Sequence, residues 1–182
     1  MRVPFTVAAR IVACGAAAAL ALVGCAAGQI TQTDSQASAV NGTFGDVGNT
    51  IALRNALIPY PPNQQGVYPA GSAVPVVLTI INQARGPEQL IAVTSPAASQ
   101  VLVSGTTQIP PGSMVIGTSG VLPATGRPAS PLVAGELRIV LTTSRPLYTG
   151  LNTPVSFQFR NAGTVTLLVP MGTPSNAASS VA

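Results

Sequence analysis

Towards its end the chain alternates apolar and polar residues twice over. Val155, Phe157 and Phe159 interleave with Ser156, Gln158 and Arg160, and after Asn161-Ala162-Gly163 the pattern returns as Val165, Leu167 and Val169. A period of two puts every apolar side chain on one face of an extended strand. Each stretch therefore predicts a half-buried strand, and the Gly-containing break predicts a hairpin turn between them.

The rest of the chain carries compatible signals. Short β-branched runs cut by Gly and Pro predict further strands, beginning with Ile51-Ala52-Leu53 and continuing through residues 74–82, 89–94, 100–104, 113–118 and 137–143. Pro75 lacks an N–H, so the paired part of the second of these is expected to begin after it. Residues 55–58 are ambiguous between helix and strand, and no longer window shows a helical period. The spacing of strands and turns predicts an all-β sandwich.

The first residues carry a separate message. Arg2 and Arg10 frame a short basic region, and residues 11–24 then run for 14 positions without a charge. That is too short for a bilayer span, which takes about 20 apolar residues, and it suits the apolar part of a cleaved export signal. The run ends in Leu22-Val23-Gly24-Cys25, which resembles the bacterial lipobox. Small residues there fit the peptidase, and only a thiol forms the thioether that carries a diacylglyceryl group. A plain signal peptide with an incidental Cys is the competing reading. Basic start, length, small residues and Cys position together favour lipidation. The expected product begins at Cys25, carries two acyl chains on its diacylglyceryl group and a further N-acyl chain, and is held at the cell membrane on the extracytoplasmic side. Two chains anchor stably where one does not.

Cys14 then leaves with the signal and Cys25 is acylated, so the mature domain is expected to have no disulfide and to depend on apolar burial. The expected organisation is a signal at 1–24, a lipidated Cys and solvated tether at 25–49, one sandwich domain at 50–171 and a frayed tail at 172–182. The tether is read from its Gly, Ser, Thr, Gln and Ala content.

Six arginines remain after the signal, namely Arg54, Arg85, Arg127, Arg138, Arg145 and Arg160, against Asp34, Asp46, Glu88 and Glu136. The net charge is only +2, and the arginines are scattered singly. A nucleic-acid partner needs a clustered basic surface, so none is expected. The chain has no Lys and no His and is rich in Ala, Gly, Pro, Val and Thr, a composition that suggests a high-GC, actinobacterial source.

Three pieces of the chain resemble the PCu(A)C family of periplasmic copper chaperones. They are Glu88-Gln89-Leu90-Ile91-Ala92-Val93-Thr94-Ser95-Pro96-Ala97-Ala98, Arg145-Pro146-Leu147-Tyr148-Thr149-Gly150, and Phe159-Arg160-Asn161-Ala162-Gly163-Thr164-Val165 with Val169-Pro170 following. The likeness spans residues 50–171. It implies a cupredoxin-like or immunoglobulin-like Greek-key β-sandwich, and a role in holding Cu(I) between two His and two Met for delivery towards the copper site of cytochrome oxidase.

The sequence departs from the family at those ligands. Counting along places the first family His at Ser104, the second near Leu137 and its paired Met near Ile139, and only Met114 lies close to a family Met. Met114 is the one weak metal candidate, with an apolar core or edge role as the plainer reading. Met114 and Met171 cannot make a copper site alone, so no cofactor is expected.

Enzymatic chemistry is also unsupported. Ser and Thr lack a His base, and the four carboxylates lie far apart in sequence, with Glu88 and Glu136 expected on solvated turns or facing an Arg. What remains is binding. The leading expectation is an accessory or assembly protein that docks on a respiratory oxidase or a supercomplex containing it. The alternatives are weak or partner-assisted copper handling through Met114, and a cell-envelope ligand-binding or surface protein. Tyr60-Pro61-Pro62 and Gly126-Arg127-Pro128 are candidate contact loops.

Overall fold

The computed structural model describes residues 42–63, 65–120 and 130–174, all within one unit, Val40–Ala182. These residues form twelve strands: β1 Thr43–Val47, β2 Ile51–Leu57, β3 Val67–Tyr68, β4 Ala73–Asn82, β5 Glu88–Thr94, β6 Ala98–Gly105, β7 Gln108–Ile109, β8 Met114–Gly117, β9 Val133–Thr143, β10 Leu147–Tyr148, β11 Asn152–Phe159 and β12 Gly163–Pro170. There is no helix among them. One sheet has the order β1-β2-β4-β8-β9-β6, the other β12-β11-β5-β7, and β3 pairs with β10 in a small ribbon. The two sheets face each other, with β1 against β12 at one side and β5 against β6 at the other.

The terminal hairpin forms as its alternation requires. β11 and β12 pair from Asn152↔Pro170 to Phe159↔Gly163, and Gly163 takes a left-handed φ of 97° that closes the turn. Val155, Phe157, Phe159, Leu167 and Val169 are buried between the sheets, against Leu53, Ile80, Leu137, Ile139 and Leu141 of the opposite sheet. Ser156 and Thr166 face outward and share a 2.7 Å hydrogen bond across the pair. This all-apolar core is the main favourable term in the fold.

Pro75 sits inside β4, paired with Val140, not ahead of the paired stretch. The ladder explains why it is tolerated. β2 reaches β4 only from Val77 onward, so the side of Pro75 that lacks an N–H has no strand to bond. β8 and β9 then run parallel side by side, with Ile116 opposite Glu136 and Gly117 opposite Leu137.

The stretch expected to be tether up to Asn49 contributes a strand. β1 pairs with β2, and the turn between them places Gly48 and Asn49 at positive φ, as a tight connection demands. Gly45 is needed here, because a Cβ would stand 2.5 Å from Leu167 Cδ2 of β12. Residues 55–57 are strand, the irregularity being a bulge at Asn55 with φ 55°. Beside the bridge from Met171, the last residue of the expected sandwich, to Ile58, the first residue of the expected tail is tied down too, Gly172 N donating to Ile58 O at 2.8 Å.

Two polar side chains brace opposite ends of the sandwich. Buried Asn82 donates to Gly86 O and Ile109 O and accepts from Ala84 N. At the other end Thr143 Oγ1 donates to Pro69 O at 2.9 Å and accepts from Ser72 N at 3.1 Å.

Candidate functional site

The positions that would carry copper ligands fall on different faces. Leu137 and Ile139 of β9 are fully buried in the core. Ser104 of β6 pairs with Arg138, the residue between them, so both point away from the core. Met114 is half-buried and also faces outward, since its neighbour Val115 is buried. Met114 lies opposite Val133 on β9 and Ser104 opposite Arg138. Five residues of strand separate those partners, about 16 Å.

Met171 is no closer. It is buried beside Ile58 and accepts a 3.4 Å hydrogen bond from Thr149 Oγ1, whereas Met114 lies level with Ile81 and Ala52. Ala52 and Ile58 are six residues apart along β2, roughly 20 Å. One hydroxyl, two core aliphatics and an isolated thioether do not fit the soft His and Met set that Cu(I) takes. Among the described residues no three His, Cys, Asp or Glu side chains gather.

The carboxylates correct the expectation of solvated turns. Glu88 is only 5% exposed. Its Oε1 accepts from Gln89 N at 2.8 Å and Asn161 N at 3.0 Å, and its Oε2 accepts from Ala162 N at 2.8 Å. Asn161 Nδ2 adds a 3.3 Å contact to Oε1. Burial pushes this carboxyl up, but the backbone N–H groups of Gln89, Asn161 and Ala162 outweigh it and hold Glu88 below the usual carboxylate range. Such a group is a clasp for the β11–β12 turn and not a proton carrier.

Glu136 is half-buried within β9, again not on a turn, and faces outward beside Ile116. Asp46 pairs with Arg54 at 2.8 Å near the surface, and Arg54 also donates to the carbonyls of Gly45 and Leu53. Glu88 and Glu136 thus serve separate strands, and no catalytic pair forms between them.

The notable surface is the outer face of the six-stranded sheet. Val77 and Ile81 of β4, Met114 and Ile116 of β8, Val140 of β9 and Leu102 of β6 all point away from the core, with Arg54, Glu136 and Arg138 among them. An antiparallel sheet with one solvated face usually carries polar residues there. β4 carries a single polar residue between Val76 and Ile81, Thr79, which shares the outer face with Val77 and Ile81, so the pattern there is apolar on both sides but for that one hydroxyl.

Of the loop candidates, Pro61 is buried, Tyr60 half-buried and only Pro62 exposed, because the segment packs beside Tyr68, whose hydroxyl donates to Pro59 O. Gly126-Arg127-Pro128 lies outside the described residues, as do Cys25 and the lipobox residues Leu22, Val23 and Gly24.

Residues 51–171 match the sequence profile of a family described as "Putative lipoprotein LpqE-like". The chain belongs to the LpqE-like family. LpqE of Mycobacterium tuberculosis (strain ATCC 25618 / H37Rv) is 36% identical over 157 residues, covering 84% of this chain and 82% of the relative. LpqE of Mycobacterium leprae (strain TN) is 33% identical, covering 82% and 80%. Among solved structures, the apo PCuAC domain from PmoF1 superposes with a TM-score of 0.52 at 16% identity, covering 72% of this chain and all of that domain. The copper-bound PCuAC domain from PmoF2 gives 0.51 at 19%, covering 72% and 99%. At such identities the likeness concerns fold alone. The LpqE-like chain therefore has the cupredoxin-like β-sandwich that its sequence resemblance implied.

Proposed function

We propose that this LpqE-like protein is an extracytoplasmic lipoprotein, anchored through acylated Cys25, whose sandwich acts by protein contact as an accessory or assembly factor of the respiratory cytochrome oxidase or its supercomplex. The observation that carries this reading is a PCuAC-type fold in which core aliphatics stand at the ligand positions while the outer sheet face is apolar. A scaffold that keeps its fold but lacks the His and Met set retains one asset, its surface. Val77, Ile81, Met114, Ile116, Val140 and Leu102 supply an apolar centre, and the neighbouring charges supply orientation. No group in the described residues is arranged for acid–base or nucleophilic catalysis.

The test is capture from gently solubilised membranes. A tagged wild-type chain should enrich oxidase subunits over a tagged control lipoprotein, and Leu102→Arg, which puts a charge on the exposed part of the face opposite Val140, should lose them. Absence of enrichment sinks the proposal. The anchor is checked separately, by incorporation of labelled fatty acid that a Cys25→Ser change abolishes.

A second reading, partner-assisted copper handling, is supported by the partly accessible thioether of Met114 and by the copper-bound state of the PmoF2 domain. Titration with Cu(I) against a competing chelator decides it. Affinity no greater than that of Met114→Leu removes the case.

A further inference from the structure

The tether joins the sandwich at one end of its long axis. Thr43 pairs with Ala56 near the end of β2, and Ile58 just beyond it bridges Met171, whose sulfur accepts from Thr149 Oγ1. The loop from Arg145 to Leu151 is thus at the tether end. Leu132 marks the opposite end, because it precedes Val133, ten residues up β9 from Thr143, or about 33 Å.

This loop is ordered and carries an unusual exposed group. Leu147 is buried and pairs with Tyr68, which fixes the start. Thr149 donates to Gly66 O through both its backbone N at 2.9 Å and its hydroxyl at 3.0 Å, and Leu151 N donates to Tyr148 O. That turn holds Tyr148 53% exposed and Leu151 62% exposed, beside exposed Arg145. A rigid loop loses little freedom when it docks. The described carboxylates lie elsewhere: Asp46 opposite Ala52, Glu88 at the start of β5 against the β11–β12 turn, and Glu136 opposite Ile116.

We infer that the Arg145–Leu151 loop is a membrane-contact surface, with Tyr148 and Leu151 entering the bilayer interface and Arg145 meeting the phosphates of anionic lipids. The inference rests on anchoring at Cys25. Eighteen residue steps join Cys25 to Thr43, so even a fully extended tether holds this end within about 60 Å of the lipid anchor. Tyr belongs at the interface, Leu in the acyl region, and an arginine without a facing carboxylate is attracted by anionic headgroups. Contact too weak to bind alone is sustained when an anchor raises the local concentration of the surface.

The chain contains no Trp, so a single indole reports without background. Leu151→Trp and Leu132→Trp change exposed residues at the two ends, and far-UV circular dichroism checks that both fold. The full lipidated chain is placed in vesicles of phosphatidylcholine and phosphatidylglycerol whose acyl chains carry bromine, a contact quencher. The expected result is blue-shifted emission and several-fold stronger bromine quenching for Leu151→Trp than for Leu132→Trp. Adding Arg145→Glu, or omitting phosphatidylglycerol, should reduce that quenching. If both variants float with the vesicles but are quenched alike, the inference is overturned while the anchor stands. A blue shift without bromine quenching assigns the loop to a protein contact and also overturns it. If neither variant floats, the anchor itself fails and the inference falls with it.

Discussion

Glu88→Gln tests whether one buried carboxylate holds the terminal hairpin to β5. In the native protein its two oxygens accept from Gln89 N, Asn161 N and Ala162 N at 2.8–3.0 Å. The amide of Gln keeps one acceptor oxygen and turns an NH2 group towards the remaining N–H donors. Hydrogen bonds to a charged group contribute about 1.5–3 kcal/mol each. Asn161 is exposed, so water can take over part of its share, while Ala162 is half-buried. One such bond lost, with partial relief at Asn161, gives a loss of about 2 kcal/mol, or roughly 6–10 °C in Tm for a domain of this size.

The sign of the pH dependence follows from the lowered pKa of Glu88 in the fold. The unfolded carboxyl, near pH 4.3, binds a proton more readily than the folded one. Its stabilisation is therefore complete above that value and is lost as the pH falls through the folded pKa. Urea unfolding of wild type and Glu88→Gln, followed by circular dichroism, should show the full gap at pH 7 and a shrinking gap below about pH 4.3. Equal stabilities at pH 7, or a gap undiminished in strong acid, would refute the clasp.

Phe157→Ala empties the fully buried centre of the hairpin and should cost about 3–5 kcal/mol in the same unfolding assay. Asn82→Leu leaves Gly86 O, Ile109 O and Ala84 N without their partner and should cost about 2–4 kcal/mol, with faster amide exchange at Ala84. Asp46→Ala should change stability by no more than about 0.5 kcal/mol, because its ion pair is solvated. Arg54→Ala should cost measurably more in urea unfolding, since it also frees the carbonyls of Gly45 and Leu53.

The strands legible in the sequence were those whose burial was uniform along one face. Val155, Phe157 and Phe159 could be read directly, as could residues 137–143, because every second side chain meets the core. β1 was hidden: Thr43-Phe44-Gly45-Asp46-Val47 has Gly at an inward position, chosen for close approach to Leu167 and contributing no hydrophobic signal. The two-residue strands β3, β7 and β10 are shorter than any period. Glu88 was misread because a carboxylate preceded by Gly86-Pro87 suggests a turn, and its donors, Asn161 and Ala162, lie more than seventy residues away. The reading of Cys25 rests on local sequence alone, since residues 22–25 lie outside the described residues. The outer sheet face was legible only in part, since a β4 that is apolar on both sides but for Thr79 does not say what covers its second face.

Orientation links the two proposed surfaces. With the Arg145–Leu151 loop on the bilayer, β9 stands away from the membrane, and the outer apolar face rises along it. Leu102 and Val140 pair low on that face, about 10 Å above Thr143, whereas Met114, level with Val133, stands about 33 Å above it. A partner covering the whole face must itself project some 30 Å from the membrane. A shorter partner could cover only the lower residues, leaving Met114 and Ile116 solvated. Ile116→Arg and Leu102→Arg therefore separate the cases in the capture experiment. Loss with both points to a tall extracytoplasmic partner, and loss with Leu102→Arg alone to one close to the lipid surface.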